Sequence, residues 1–596
     1  MRFWVKIEVW LVLTRRFLKK RVGIKGMVMI LSFFTGVFGA TAAIVIKNLL
    51  HFTATTLGKA FPEVNYHYLY LIFPLIGIIL TVFFVKYYVK DNLSHGVSIV
   101  LKSICKNNGK LRRHNIYTSI IASSITVGFG GSVGLEAPIV LTGSAIGSNL
   151  ARAFNLNTKN SILLLACGCT AAVASIFKAP VAALIFAIEV LMLDLTVSAI
   201  LPLLISAVTG TVLSLLFLGD NVMFNVPYMH SFVIRNIPVY IALGVITGLV
   251  SIWFLRMMRF IEQLFLRIKQ LWLKMALGGL ALGILILLFP MFYGEGYENI
   301  NALFEGHAYA LFDKSPLFPL FKFHLIFVAA IASVFMIKVI AMALTTASGG
   351  VGGVFAPSLF IGAFAGYFVA EVCNTCLGMN LPYTNFVLAG MAGVMTGVMH
   401  APLTAIFLIA ELSGGYSLLI PLMITSLVSF ISVYPFEKYS AYTRKLAEQG
   451  ALKTHNKDKF ALKKIDWKRL IDSDILTISA DGSLGEYTQA IAQSKRNLFV
   501  VLDKARHFVG LLVMDDHRDI IFRQELYNSV KVTDLMIEPD TFVYDTDSGE
   551  EMLHKFTKTG NFNLPVINHN RQYIGFLSKA KVLAAYQDVI AAESED

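Results

Sequence analysis

The sequence predicts an all-α multi-pass membrane domain made of two related halves with broken helices, followed by a small α/β module. Three observations predict it. The chain has 596 residues, of which 56% are hydrophobic and only 15% charged, too apolar for an ordinary soluble enzyme. The stretch Gly130-Gly131-Ser132-Val133-Gly134-Leu135-Glu136-Ala137-Pro138 returns later as Gly349-Gly350-Val351-Gly352-Gly353-Val354-Phe355-Ala356-Pro357. Composition then changes after Phe436, where a polar, basic stretch leads into short alternating runs of strand character.

Taken in chain order, residues 1–26 are basic and amphipathic with no small-residue cleavage site. They read as an interfacial cytoplasmic helix, and no cleavable signal is expected. Residues 27–220 and 221–445 form the two membrane halves. Apolar segments such as 71–84, 239–255, 275–289 and 325–344 approach the ~20 residues of a spanning helix, and many are shortened by Gly or Pro. Interrupted spans are tolerated where they line an enclosed cavity. Residues 446–471 are a linker. Residues 472–530 and 531–592 are two copies of one α/β unit: the strand pair 498–502 and 509–513 recurs as 564–567 and 574–577.

The net charge of +13 could suggest nucleic acid, but the basic residues gather beside apolar segments, at the amino end, over 256–274 and over 438–469. That is the positive-inside pattern, which puts both termini in the cytoplasm of a cell-membrane protein and excludes a nucleic-acid partner. The five cysteines form no paired metal spacing. Cys373 and Cys376, in an apolar segment, are expected to be buried small residues, and no metal is expected.

Glycines allow close backbone approach, and proline suits a helix's first turn. Each repeat of the motif therefore reads as a helix N-terminus with bare amides, which attracts anions. A second match supports the duplication: Gly168, Ala179-Pro180 and Glu189 against Gly390, Ala401-Pro402 and Glu411. The two offsets agree to within three residues. Glu189 and Glu411, at matching helix ends, are expected to be structural, and Lys178 and His400 to face water.

These motifs resemble the CLC chloride channel and transporter family, followed by a tandem CBS pair. The family's GREGP motif matches Gly134-Leu135-Glu136-Ala137-Pro138 with two replacements, and its GxFxP motif matches Gly353-Val354-Phe355-Ala356-Pro357 in full. The late pore tyrosine falls on Tyr439. The early GSGIP motif aligns with Ser94-His95-Gly96-Val97-Ser98, so His95 stands where the pore serine would be. An imidazole N–H can donate to an anion as a hydroxyl does. The resemblance implies a homodimer in a lipid bilayer, inverted halves, and chloride or a similar small anion held by His95, Gly96, Gly134, Leu135, Ala137, Gly353, Val354, Phe355, Ala356 and Tyr439. Glu136 would be a gate whose ionised carboxylate competes with the anion for the same amides, and which swings away when protonated.

Some exchangers of the family carry an inner proton-passing acid just after a helix-ending glutamate. Here the pair reads Glu189-Val190, and valine cannot carry a proton. The change favours passive, gated conduction, with proton-coupled exchange as the alternative; Asp194 is a candidate substitute acid. CBS modules often bind adenine nucleotide through a Ser/Thr and an acid, of which each repeat keeps one, Asp516 or Ser578. Nucleotide binding and structural dimerisation both remain open, and no other cofactor is expected. Gly130-Gly131-Ser132-Val133-Gly134 also satisfies G-x-S-x-G, but a hydrolase needs a strand-turn-helix context and a His/Asp pair, so the chain is not expected to be an enzyme.

Overall fold

In the computed structural model the first Gly-rich motif ends at the start of one helix and the second at the start of another, and the rest of the membrane domain is packed around that pair. The structure describes residues 2–60, 66–91, 93, 96–192, 197–219, 224, 226, 229–304, 308–313, 315–319, 323–450 and 465–595. His95 and Asp194 lie outside them. The chain divides into two compact units, Met1–Leu452 and Lys453–Asp596.

The first unit opens with α1 (Arg2–Ala60), which is broken at Gly23, where φ is 68° and ψ −177°. It continues with α2 (Tyr66–Phe83), α3 (Gly96–Lys106), α4 (Asn115–Gly128), α5 (Glu136–Ala153), α6 (Thr158–Phe177), α7 (Pro180–Glu189) and α8 (Val197–Leu218). The second half runs through α9 (Ile237–Leu266), α10 (Leu271–Leu288), α11 (Tyr297–Phe304), α12 (His324–Ala347), α13 (Phe355–Leu377), α14 (Tyr383–Met399), α15 (Pro402–Leu412) and α16 (Leu419–Val433), and closes with the short α17 (Arg444–Glu448). Among the described residues, eight helices are long and apolar enough to cross a membrane, while α7, α14, α15 and α16 are shorter. The site helices α5 and α13 are buried along most of their length, so neighbouring helices, not lipid, satisfy their surroundings.

The two halves are joined by contacts that repeat with the roles exchanged. The amide of Gly134 donates to the carbonyl of Gly353 at 3.0 Å, and that of Gly353 to Gly134 at 2.8 Å, an isolated antiparallel bridge. Ser132 N donates to Thr345 Oγ1 at 3.2 Å, and at the matched positions Val351 N donates to Thr126 Oγ1 at 3.0 Å. Gly130 and Gly349, also matched, both hold a left-handed backbone, with φ of 93° and 106°, a conformation open to glycine at little cost. Paired donors and acceptors of this kind are what an approximate two-fold between the halves produces.

Glu189 and Glu411 obey the same exchange. Glu411, ending α15, accepts from Val181 N at 3.2 Å and Ala182 N at 2.8 Å in the first turn of α7. Glu189, ending α7, accepts from Leu403 N at 3.2 Å, Thr404 N at 2.7 Å and Thr404 Oγ1 at 2.7 Å on α15. Each half thus supplies the carboxylate that caps a helix of the other, satisfying amides that have no acceptor within their own helix. Glu189→Ala is expected to destabilise the chain by about 1.5–3 kcal/mol, and more than Glu411→Ala, because it also strands the buried Thr404 hydroxyl. Melting curves in detergent check this; equal or negligible losses would contradict the reciprocal capping.

Among its described residues the second unit contains two sheets. One, in the order β2-β3-β4, is built from β2 (Thr477–Ser479), β3 (Leu498–Leu502) and β4 (Phe508–Val513). The other, β1-β7-β6-β5, is built from β1 (Ile471–Asp472), β5 (Val543–Tyr544), β6 (Asn563–Ile567) and β7 (Tyr573–Ser578). The flanking helices are α18 (Leu484–Gln493), α19 (Val532–Leu535), α20 (Gly549–Thr559) and α21 (Lys579–Glu595). The two repeats share an apolar cluster that includes Val500, Phe508, Leu511, Ile567 and Phe576, and the hairpin tips pair through His507 and Gln572. The leading strand β1 belongs to the second repeat's sheet, pairing Ile471 with Leu577, so the first repeat cannot be separated at its start.

Asp472 fixes that junction. Its carboxylate accepts from Arg496 at 2.5 Å and Lys581 at 3.2 Å, one from each repeat. The Arg496 hydrogen bond leads the groups that hold its pKa down to about 2. A carboxyl whose folded pKa is depressed stabilises the fold above its unfolded value near ~4, and that contribution is lost as pH falls toward ~2. Asp472→Asn should therefore loosen the module at pH 7 but make much less difference near pH 2. Hydrogen exchange of the strand amides in the full chain tests it, and protection that differs equally at both pH values would contradict it.

Candidate functional site

The antiparallel bridge sets the site. It brings the N-termini of α5 and α13 side by side, so that the backbone of Gly353 lies against Ala137 and that of Gly134 against Ala356. A Cβ on Gly353 would fall 2.9 Å from the Ala137 Cβ, and one on Gly134 would fall 2.9 Å from the Ala356 Cβ. Gly96, at the start of α3, is just as close: a Cβ there would lie 2.3 Å from the Ala137 carbonyl oxygen. Phe355 stacks on Phe177 with ring centroids 4.9 Å apart. A cavity adjoins the bridge, with Gly96, Ser98, Ala137, Gly353, Val354 and Tyr442 on its walls. Its remaining lining includes Arg444 and Lys445, which pair with Glu448 at 2.9 Å and Glu262 at 3.4 Å.

Three of the amides expected to be bare are already engaged. Those of Gly134 and Gly353 make the bridge, and Leu135 N donates to Glu295 Oε1 at 3.0 Å. The antiparallel pairing uses up the first two, and a carboxylate from another segment takes the third. Donors left for a ligand are the first-turn amides of Glu136 and Ala137 on α5 and of Phe355 and Ala356 on α13, which have no acceptor within their own helices.

Glu136 is 4% exposed and folded back over its own motif. Its Oε2 sits 1.9 Å from where a Gly134 Cβ would be, so only glycine leaves room for it. Tyr297 donates its hydroxyl to Oε1, while Oε2 accepts no formed hydrogen bond among the described residues. The carboxylate is close enough to the amides of Glu136 and Ala356, and to Lys47 of α1, to feel their charge. A negative group therefore lies between two helix N-termini, where an anion would be favoured.

Tyr439 is not at this site. It is 42% exposed, whereas Tyr442 is 6% exposed, lines the cavity, and is near enough to interact electrostatically with Glu136. The reason is a turn: Ser440 N donates to Thr443 Oγ1 at 3.1 Å and Ala441 N to Val398 O of α14 at 3.0 Å. Pinning Ala441 to α14 sends Tyr442 inward and Tyr439 out. Ser98 donates to the Tyr442 carbonyl at 2.9 Å, tying α3 to the same turn.

Sequence reasoning also passed over Glu295, Tyr297 and the cavity-lining Arg444 and Lys445. Two tyrosines within four residues gave no means of choosing between Tyr439 and Tyr442. Val190 is buried and caps the end of α7. His400 is half-buried edge-on to Phe430, and Lys178, half-buried, donates to Gly219 O at 2.6 Å. Cys373 is half-buried and Cys376 exposed, because they lie on the last turns of α13 where it leaves the core. Ser132 is buried, and its hydroxyl donates to Phe292 O at 2.7 Å, an anchor for the loop before α11. In the second unit, Asp516 lies exposed in the turn after β4 and Ser578 ends β7 opposite Asn563.

Residues 76–433, more than half of the chain and including both helix starts and Glu136, match the family model described as voltage gated chloride channel. The chain belongs to that family. Residues 532–588 match the CBS domain model, so the chain is a CLC-type membrane protein with a C-terminal CBS module. It is 30% identical over 336 residues, 55% of the chain and 75% of the relative, to the voltage-gated ClC-type chloride channel ClcB of Salmonella dublin. A CLC-type fluoride/proton antiporter of known structure is 25% identical, with a TM-score of 0.57 over 70% of this chain and 96% of that one. A slow cyanobacterial Cl-/H+ antiporter shares the fold at 22% identity, with a TM-score of 0.60 over 72% of this chain and 97% of that one.

Proposed function

We propose that this chain carries a small anion of the chloride class across a membrane through the site between α5 and α13, with Glu136 as its protonatable gate. The observation that carries the reading is the Gly134–Gly353 bridge, which sets two helix N-termini around a buried carboxylate. A dehydrated halide needs its hydration shell replaced. Several weak amide donors, with the Tyr442 hydroxyl, supply that without the tight hold of a full cation, so the ion can leave. When ionised, Glu136 occupies the anion's place; when protonated, it gives the place up.

Val190 supports passive, gated conduction, because a buried valine stands where a proton-passing acid would be needed. The second reading, proton-coupled exchange, is favoured by the likeness to a fluoride/proton antiporter and by a second carboxylate, Glu295, beside the gate. Reconstituted vesicles separate the two. Passive conduction predicts a reversal potential that follows the chloride gradient alone; protons driven uphill by a chloride gradient would replace it with exchange. The same reading has a homodimer with both termini cytoplasmic. For the CBS module we infer a structural role, since each repeat has only one of the two ribose-holding groups; ATP raising the melting temperature of the full chain would overturn that.

A further inference from the structure

We propose that the segment Gly294–Tyr297 is a latch on the gate, in which Tyr297 and Glu295 are positioning residues that set the pH at which Glu136 lets go. The inference rests on Glu136 being the gate and adds what governs it.

Two contacts made by one short segment carry it. Tyr297 donates its hydroxyl to Glu136 Oε1. Two residues earlier, Glu295 accepts from the amide of Leu135, the residue just before Glu136, at 3.0 Å. The segment's shape is fixed by Gly294 and Gly296, both left-handed with φ of 64° and 88°. A Cβ on Gly296 would come 2.7 Å from the Phe360 ring of α13. Phe224 packs edge-on against the Tyr297 ring at 5.8 Å. From α12, Lys338, which is 0% exposed, donates to Phe292 O and Gly294 O, each at 3.4 Å, and holds the segment from its other side. The latch is thus tied to α12 and α13 and grips the first turn of α5.

Its charges matter as much as its position. Glu295 interacts electrostatically with Glu136, Lys47 and Lys338, and Lys47 of α1 also feels Lys178 at the end of α6. Tyr442 faces Glu136 from the turn before α17. The two latch residues therefore act on the gate in opposite senses. The Tyr297 hydroxyl stabilises the ionised, seated carboxylate. When ionised, Glu295 repels it and favours its taking up a proton.

Chloride efflux from vesicles containing the full chain, recorded against external pH, tests the latch. Tyr297→Phe removes a donor to the seated carboxylate and should move the midpoint of opening toward higher pH by about half a unit or more. Glu295→Gln keeps an acceptor for the Leu135 amide but removes the charge, and should move the midpoint toward lower pH by a similar amount. If Tyr297→Phe does not assemble, 3-fluorotyrosine placed at position 297 keeps the ring and makes a stronger donor, and the midpoint should then fall. Both midpoints unmoved, or both shifted the same way, would overturn the latch even where Glu136→Gln flattens the profile. A Glu136→Gln protein that keeps the wild-type profile would instead overturn the gate itself.

Discussion

Glu136→Gln is expected to give anion flux that is high and nearly the same from acid to neutral pH. Glutamine has the shape of the protonated acid but cannot ionise, so it should not compete for the first-turn amides of α5 and α13. In the wild type a single titrating gate changes the open fraction by up to about tenfold per pH unit above its midpoint. The substitution should remove that slope and leave the maximum in place. The rival role for a carboxylate here is to cap α5, worth ~1 kcal/mol or less at an exposed end. That role predicts slightly lower stability with the pH profile intact. Efflux between pH 5 and pH 8, beside a melting curve, decides between them.

Gly134→Ala is the second large effect. Its methyl would occupy the place of the Glu136 carboxylate, with Oε2 only 1.9 Å away, and would press on the Ala356 Cβ at 2.9 Å. One of the two must yield. Ala356 is fixed in a buried helix, whereas the carboxylate ends a flexible side chain, so the gate is the group that moves. The expected result is loss of the closed state: flux at pH 8 rises toward its value at pH 5, as for Glu136→Gln, and adding Glu136→Gln changes little more. Two distinct deficits that add in the double variant would show that the methyl damages the helix contact and leaves the seat intact.

Local chemistry explains what could be read in the chain. Gly134, Gly353, Pro138 and Pro357 mark helix starts because glycine and proline have fixed backbone consequences wherever they occur. Glu136 stood out as a carboxylate within such a start. Glu189 and Glu411 were recognisable as matching helix ends, but nothing local says that each caps a helix of the opposite half. Glu295 and Tyr297 were invisible for the same reason. They meet Leu135 and Glu136 across separations of 160 and 161 residues, and no pattern of hydrophobic period or turn residues encodes that meeting. Tyr439 was chosen over Tyr442 because the deciding interaction is a hydrogen bond from Ala441 to α14. The amides of Gly134, Leu135 and Gly353 were expected to be bare because their partners also come from distant segments. In the second unit the strand pairs were legible from alternation, whereas β1 crossing to the second repeat's sheet was not.

The most direct measurement is anomalous diffraction from the Glu136→Gln protein crystallised with bromide. A bromide peak within hydrogen-bond distance of the first-turn amides of α5 and α13, beside the Tyr442 hydroxyl and missing from the wild-type protein at high pH, is the predicted result. No peak between the two helix starts, or one that persists beside an ionised Glu136, would contradict the account.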